Sequence, residues 1–204
     1  LDAGGRRAAA ECLTQSGIHA VSIASYIALA DRGATDRELA ERARAHARLA
    51  ADLGAELVRV FPGGDDADGL SNDDLAARRL ALIVDSPTPA GVSVALETHA
   101  PLPRAIDIRQ VLERAARPGV PVIWDVLHTW LAGEAPAESA ELLRGRLAYV
   151  QVKDVSDRER LTPCALGEGL LPLDAVVGAL RAIGYDGWVS WEYEKAWHAE
   201  APAF

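Results

Sequence analysis

Strand-length apolar runs alternate with longer amphipathic stretches along nearly the whole chain, and this alternation constrains the fold more than any other feature. Helical periodicity covers residues 5–16, and Ile18 to Leu29 reads as a buried strand running into a loop. Thr35-Asp36-Arg37-Glu38 has the form of a capping box, in which hydroxyl and carboxylate oxygens satisfy backbone N–H groups at a helix start. The helix it opens keeps Leu39, Ala43, Ala47, Ala50 and Leu53 on one stripe and stops at Gly54. Strand Leu57–Phe61 follows, then a helix capped by Ser71 and running to about Val84, strand Val92–Leu96, and helix Ile106–Ala116 closed by Pro118-Gly119. Val122–Trp124, Leu147–Val152 and Trp188–Trp191 are further strands, with helices near 134–144 and 172–183.

The strands are near-continuous apolar runs, as in Val92-Ser93-Val94-Ala95-Leu96, a pattern that signals burial on both faces and hence a parallel sheet. Two architectures remain, a closed barrel or an open doubly wound sheet. An open sheet usually carries a glycine-rich phosphate turn after its first strand, and none is present. A barrel distributes polar residues over many strand ends instead, which is the pattern here. The predicted fold is therefore α/β, a (β/α)8 TIM barrel forming a single domain over residues 1–204.

Composition narrows the partners. Half of the residues are apolar and a quarter charged, ordinary values for a globular protein. The formal charge is −9, with no basic run, which argues against nucleic acid and anionic membranes as partners. No window of about 18 uninterrupted apolar residues suggests a spanning helix. Cys12 and Cys164 are too few for a disulfide framework or a zinc site, so a reducing, cytoplasmic setting is expected. The start at Leu1 and the absence of Met lead to the expectation that a segment precedes this sequence.

The residues at or just past the strand ends are Tyr26, Arg59, Glu97, Asp125, Gln151 with Lys153, and Glu192. Glu97 follows Val-Ala-Leu, Asp125 follows Val-Ile-Trp, and Glu192 sits between Trp191 and Tyr193. Carboxylates emerging from buried segments are costly unless paired or bound to a cation, so their recurrence points to a metal. Gln151 is a fourth candidate, sharing its strand face with Tyr149 and Lys153 by the two-residue period. Glu97, Asp125, Gln151 and Glu192 form an all-oxygen set that favours Mn²⁺ or Mg²⁺ over Zn²⁺. Trp124 and Trp191 read as core packing beside the acids, and Glu168, between two glycines, as a residue bracing a loop.

Leu96-Glu97-Thr98-His99, Trp124-Asp125-Val126-Leu127-His128, Val150-Gln151-Val152-Lys153-Asp154, Leu166-Gly167-Glu168-Gly169 and Gly184-Tyr185-Asp186-Gly187-Trp188 with Trp191-Glu192 occur in that order. This ordered set resembles the xylose isomerase-like barrels, and within them the sugar phosphate isomerase/epimerase group, over about residues 55–195. The resemblance implies that Glu97, Asp125 and Glu192 bind a divalent metal and that His128 contacts substrate. The family usually carries His where this chain has Gln151, so the identity of the metal is open at that position. Only six strands are legible against the family's eight, which leads to the expectation that about two N-terminal βα units are missing.

The implied activity is a metal-dependent isomerase or epimerase of a small sugar, sugar phosphate or cyclitol. A proton next to a carbonyl is removed, the ion stabilises the enediolate, and by family analogy Glu97 and Glu192 work as the proton-transfer pair. His128, His99, Lys153 and Arg59 are the candidate substrate-binding residues. Dehydration is an alternative outcome of the same chemistry. A further rival is a Schiff-base aldolase on Lys153, although the adjacent Asp154 would favour its charged form. A noncatalytic sugar-binding barrel is the third reading. The endonuclease IV branch needs more histidine ligands than the 5 present supply, together with a basic surface. Barrels of this group often pair as homodimers.

Overall fold

The computed structural model of the chain describes residues 2–63, 69–89 and 91–203. It divides into two compact units, each discontinuous in sequence: unit 1 is Leu1–Glu97 with Gln110–Pro121, and unit 2 is Thr98–Arg109 with Val122–Phe204. Unit 1 holds α1 (Ala3–Gln15), β1 (Ser22–Ala28), α2 (Asp36–Leu53), β2 (Leu57–Phe61), α3 (Gly69–Val84) and β3 (Ser93–Glu97). Helix α4 (Ala105–Arg114) contributes residues to both units. Unit 2 holds β4 (Val122–Asp125), α5 (Val126–Leu131), α6 (Pro136–Leu143), β5 (Leu147–Val152), β6 (Asp154–Val155), β7 (Pro163–Cys164), α7 (Leu173–Ala182) and β8 (Val189–Trp191).

In unit 1 the strands run parallel in the order β1-β2-β3, with Ala24 opposite Arg59 and Arg59 opposite Ala95. The capping box forms as its residues require: Glu38 N–H donates to Thr35 Oγ1 at 3.2 Å, and Thr35 N–H donates to Glu38 Oε2 at 2.7 Å. Gly54 ends α2 at φ 74°, a left-handed conformation that a side chain would strain. The buried stripe of α2 is mostly alanine, and Ala47 and Ala50 pack in one cluster with Ala55, Val58 and Val92. Small side chains let the helix backbone lie close to the strands. The buried Arg79 guanidinium ties the turn between β1 and α2 together, donating to the carbonyls of Leu29, Asp31 and Ala34 and to Asp36 Oδ1.

In unit 2 the order is β4-β5-β8, again parallel, with Asp125 opposite Gln151, Gln151 opposite Ser190 and Val152 opposite Trp191. Trp124 is fully buried and its Nε1–H donates to Thr129 Oγ1 at 2.9 Å, as a core residue should. Two short elements escape the periodicity argument: helix α5, which begins directly at the end of β4, and the antiparallel pair β6–β7. Helix α3 begins at Gly69, so Ser71, expected just ahead of the helix, lies within it. The strand expected from Ile18 begins only at Ser22.

Burial of β8 differs from expectation. Val189 is 51 % and Trp191 45 % exposed, and among the described residues β8 ends the strand order and pairs on one side, with β5. The core reading of Trp191 is corrected accordingly. Among the described residues no helix is long and apolar enough to cross a membrane.

Candidate active site

Parallel pairing delivers the polar residues of unit 2 to one level at the carboxyl ends of its strands. Gln151 and Lys153 are two residues apart and share a face, as do Ser190 and Glu192, and Gln151 lies opposite Ser190. Lys153 and Glu192 therefore meet one step further on, where Lys153 Nζ lies 2.8 Å from Glu192 Oε2. Asp125, opposite Gln151 on the other flank, completes the group, with Lys153 Nζ 3.0 Å from its Oδ2.

Asp125 is fully buried and held on every side. It ends β4 and also caps α5, where its Oδ1 accepts from the N–H groups of Leu127 at 3.0 Å and His128 at 3.3 Å. Its own N–H donates to Thr98 Oγ1, and the Thr98 hydroxyl donates back to the Asp125 carbonyl. Oδ2 accepts from Gln151 Nε2 at 3.2 Å besides facing Lys153, and Gln151 Nε2 also donates to Glu192 Oε2 at 2.8 Å. Burial alone would raise the Asp125 pKa, but the Lys153 charge and the His128 contacts hold it below the usual carboxylate value.

Lys153 faces three carboxylates, since Glu194 Oε1 lies 3.4 Å from Nζ beyond Asp125 and Glu192. Burial disfavours its charge, yet these acids outweigh burial and raise its pKa, so it is an ammonium across the physiological range. Asp154 is not its partner. That carboxylate turns away and accepts from the N–H groups of Val155, Gly167, Gly169 and Leu171. It is Asp154 that braces the 166–171 loop, while Glu168 is exposed.

His128 lies on α5, with its ring 4.3 Å from that of His99 and its Nε2 3.8 Å from Asp125 Oδ2. Burial pushes its pKa down to about 4, Asp125 opposing, so the ring is neutral at pH 7. Among the described residues its Nε2 is buried without a hydrogen-bond partner.

Arg59 and Glu97 belong to unit 1, and the remaining candidates to unit 2. Arg59 Nε lies 3.2 Å from Glu97 Oε2, with the guanidinium 4.5 Å over the Phe61 ring and 5.7 Å from that of Tyr26. Glu194 and Thr98 escaped the sequence argument. Glu194 had a signal in Trp191-Glu192-Tyr193-Glu194, where the two acids stand two residues apart like Gln151 and Lys153.

Asp125, Glu192 and the Gln151 carboxamide offer oxygen donors of the kind a divalent cation accepts. Three carboxylates around one ammonium leave negative charge in excess, so the donor set fits a further cation. Among the described residues no three His, Cys, Asp or Glu side chains are grouped so that they could hold a metal ion by themselves. Gln151 now points its nitrogen at the carboxylates, and half a turn of the amide brings its oxygen there.

A family model described as a xylose isomerase-like TIM barrel matches residues 1–203. The chain is 28 % identical over 193 residues to a putative hydroxypyruvate isomerase of Streptomyces coelicolor, covering 85 % of this chain and 67 % of that protein. It superposes with a TM-score of 0.80 and 20 % identity on the probable 3-DHS dehydratase AsbF of Bacillus anthracis, over 93 % of this chain and 76 % of that one. A structure of the IolI protein with a bound zinc atom gives the same TM-score and identity, over 96 % and 75 %. These likenesses agree with the α/β fold and the parallel strand order within each unit. The chain belongs to the xylose isomerase-like TIM-barrel family.

Proposed function

We propose that the chain is a metal-dependent isomerase or epimerase that moves a proton between carbons next to the carbonyl of a small sugar, sugar phosphate or cyclitol. The observation that carries this reading is the convergence of Asp125, Gln151, Lys153 and Glu192 at the ends of three parallel strands. Asp125, Gln151 and Glu192, all of unit 2, would hold the cation. A bound Mn²⁺ or Mg²⁺ supplies Lewis-acid polarisation of the substrate's carbonyl and hydroxyl oxygens. The relative named hydroxypyruvate isomerase favours isomerisation of a short hydroxy-carbonyl compound.

Glu192 is the proton-transfer residue of unit 2 in this reading. One carboxylate takes the proton from carbon, the electron pair left behind moves onto the carbonyl oxygen, and an enediolate results. Return of the proton to the neighbouring carbon isomerises the substrate, and return to the opposite face of the same carbon epimerises it. Neutral His128, whose Nε2 has no hydrogen-bond partner among the described residues, is suited to a substrate hydroxyl. Lys153 opposes the Schiff-base alternative, because three carboxylates resist the deprotonation that an attacking amine needs.

The test is exchange in D2O. With Mn²⁺ added, hydroxypyruvate or a small ketose should take up deuterium at the carbon next to its carbonyl, and Glu192→Gln should slow the uptake about 10²–10⁴-fold. A borohydride-trapped adduct on Lys153, with EDTA leaving turnover unchanged, would overturn the proposal.

A further inference from the structure

Every acceptor position of Asp125 is already in use. A carboxylate oxygen offers about two lone-pair directions. Those of Oδ1 are taken by the Leu127 and His128 N–H groups, and those of Oδ2 by Gln151 Nε2 and Lys153 Nζ. Glu192 Oε2 accepts from the same two donors, Gln151 Nε2 at 2.8 Å and Lys153 Nζ at 2.8 Å. A divalent ion sits about 2.0–2.2 Å from its oxygen ligands, closer than these donors, so it cannot join them on the same lone pairs. Gln151 answers by turning its amide and offering the oxygen. Lys153 has no acceptor to offer and must leave.

We infer that Lys153 is a tethered counter-ion that competes with the divalent cation for Asp125 Oδ2 and Glu192 Oε2, and that metal uptake drives its ammonium off these oxygens. This rests on the metal reading above and adds to it a residue that sets how tightly the metal is held. Glu194 gives the displaced ammonium somewhere to go, since its Oε1 is already 3.4 Å from Nζ. Uptake of the metal then leaves a mobile cationic side chain beside the site, free to meet an anionic group of the substrate. In the metal-free protein the same ammonium neutralises carboxylates that would otherwise repel one another across the strand ends.

The chain holds two lysines, Lys153 and Lys195, so a protein labelled with ¹³C at lysine Cε shows two side-chain signals. Lys195 donates to the carbonyls of Ala199 and Ala201 near the carboxyl end, and Lys195→Arg assigns the pair. Mg²⁺ titrated into the wild-type protein should shift the Lys153 signal in a saturable way and leave that of Lys195 in place. By calorimetry, Lys153→Met should bind Mn²⁺ at least about tenfold more tightly than wild type, which is about 1.4 kcal/mol. Asp125→Asn should abolish binding in either background. If wild type binds Mg²⁺ with an unmoved Lys153 signal, or if Lys153→Met leaves the Mn²⁺ affinity within twofold, the competition is disproved and the metal reading stands. If neither wild type nor folded Lys153→Met binds Mn²⁺ or Mg²⁺, the metal reading falls and the competition with it.

Discussion

Arg59 and Glu97 form a buried ion pair, Nε to Oε2 at 3.2 Å, with side chains 7 % and 1 % exposed. The guanidinium is also covered by the Phe61 ring, and Arg59 Nη2 reaches towards the Ser25 carbonyl at 3.4 Å. Taking one charge from a buried pair strands the other, so Arg59→Met should cost about 3–5 kcal/mol in urea denaturation. Arg59→Lys keeps the charge but loses the flat face that lies on Phe61, and should fall between. A loss below about 0.5 kcal/mol for the methionine variant would show that the pair contributes nothing net.

This pair also marks how far the sequence could be read. Glu97 was legible as the polar residue that ends the apolar run of β3, whereas Arg59, expected at a strand end, stands in the middle of β2. The capping box at Thr35 and the stop at Gly54 were legible because their chemistry is local. Partners were not. Lys153 was expected beside Asp154, its sequence neighbour, but successive residues of an extended chain point apart, and the partners come from other strands. Helix α5 was hidden because Asp125 serves both as a strand end and as a helix cap. The exposure of Trp191 was hidden because apolar composition does not distinguish a strand paired on both sides from one paired on a single side.

Asp154 and Gly169 give a second prediction. A Cβ on Gly169 would overlap Asp154 Oδ1 and stand 2.5 Å from the Val155 carbonyl oxygen. Gly169→Ala should therefore push the carboxylate off the N–H groups of Gly167, Gly169 and Leu171. Asp154→Asn replaces one acceptor by a donor that faces N–H groups. Each variant should lose about 2–4 kcal/mol and open residues 156–170 to limited proteolysis. Cleavage no faster than in wild type would mean that the loop has another anchor.

Asp36 gives a pH prediction. Hydrogen bonds from Arg78 and Arg79 hold its pKa at about 2, below the ordinary 3.8. A lowered native pKa means that the stabilisation is complete above about pH 4 and fades as pH falls towards 2. The side chain is 40 % exposed, so solvent screening limits the effect to about 0.5–1 kcal/mol. Urea midpoints between pH 2 and 5 should fall less steeply in Asp36→Asn than in wild type. Parallel curves would assign the acid sensitivity to other carboxylates.

Glu192 joins the two halves of the functional argument, because it is both a neighbour of Lys153 and the proposed base. Its Oε2 accepts from Lys153 and Gln151, so Glu192→Gln loses a charge while keeping an oxygen in much the same place. The side chain is part-exposed, which limits the folding cost to about 1 kcal/mol. Turnover should fall far more, about 10²–10⁴-fold, because a carboxamide cannot take a proton from carbon at neutral pH. Glu194→Gln, which removes the most distant of the three acids around Lys153, should leave turnover within about tenfold. Equal losses in the two variants would mean that both act by setting the charge around Lys153, and Glu192 would then have no claim to be the base.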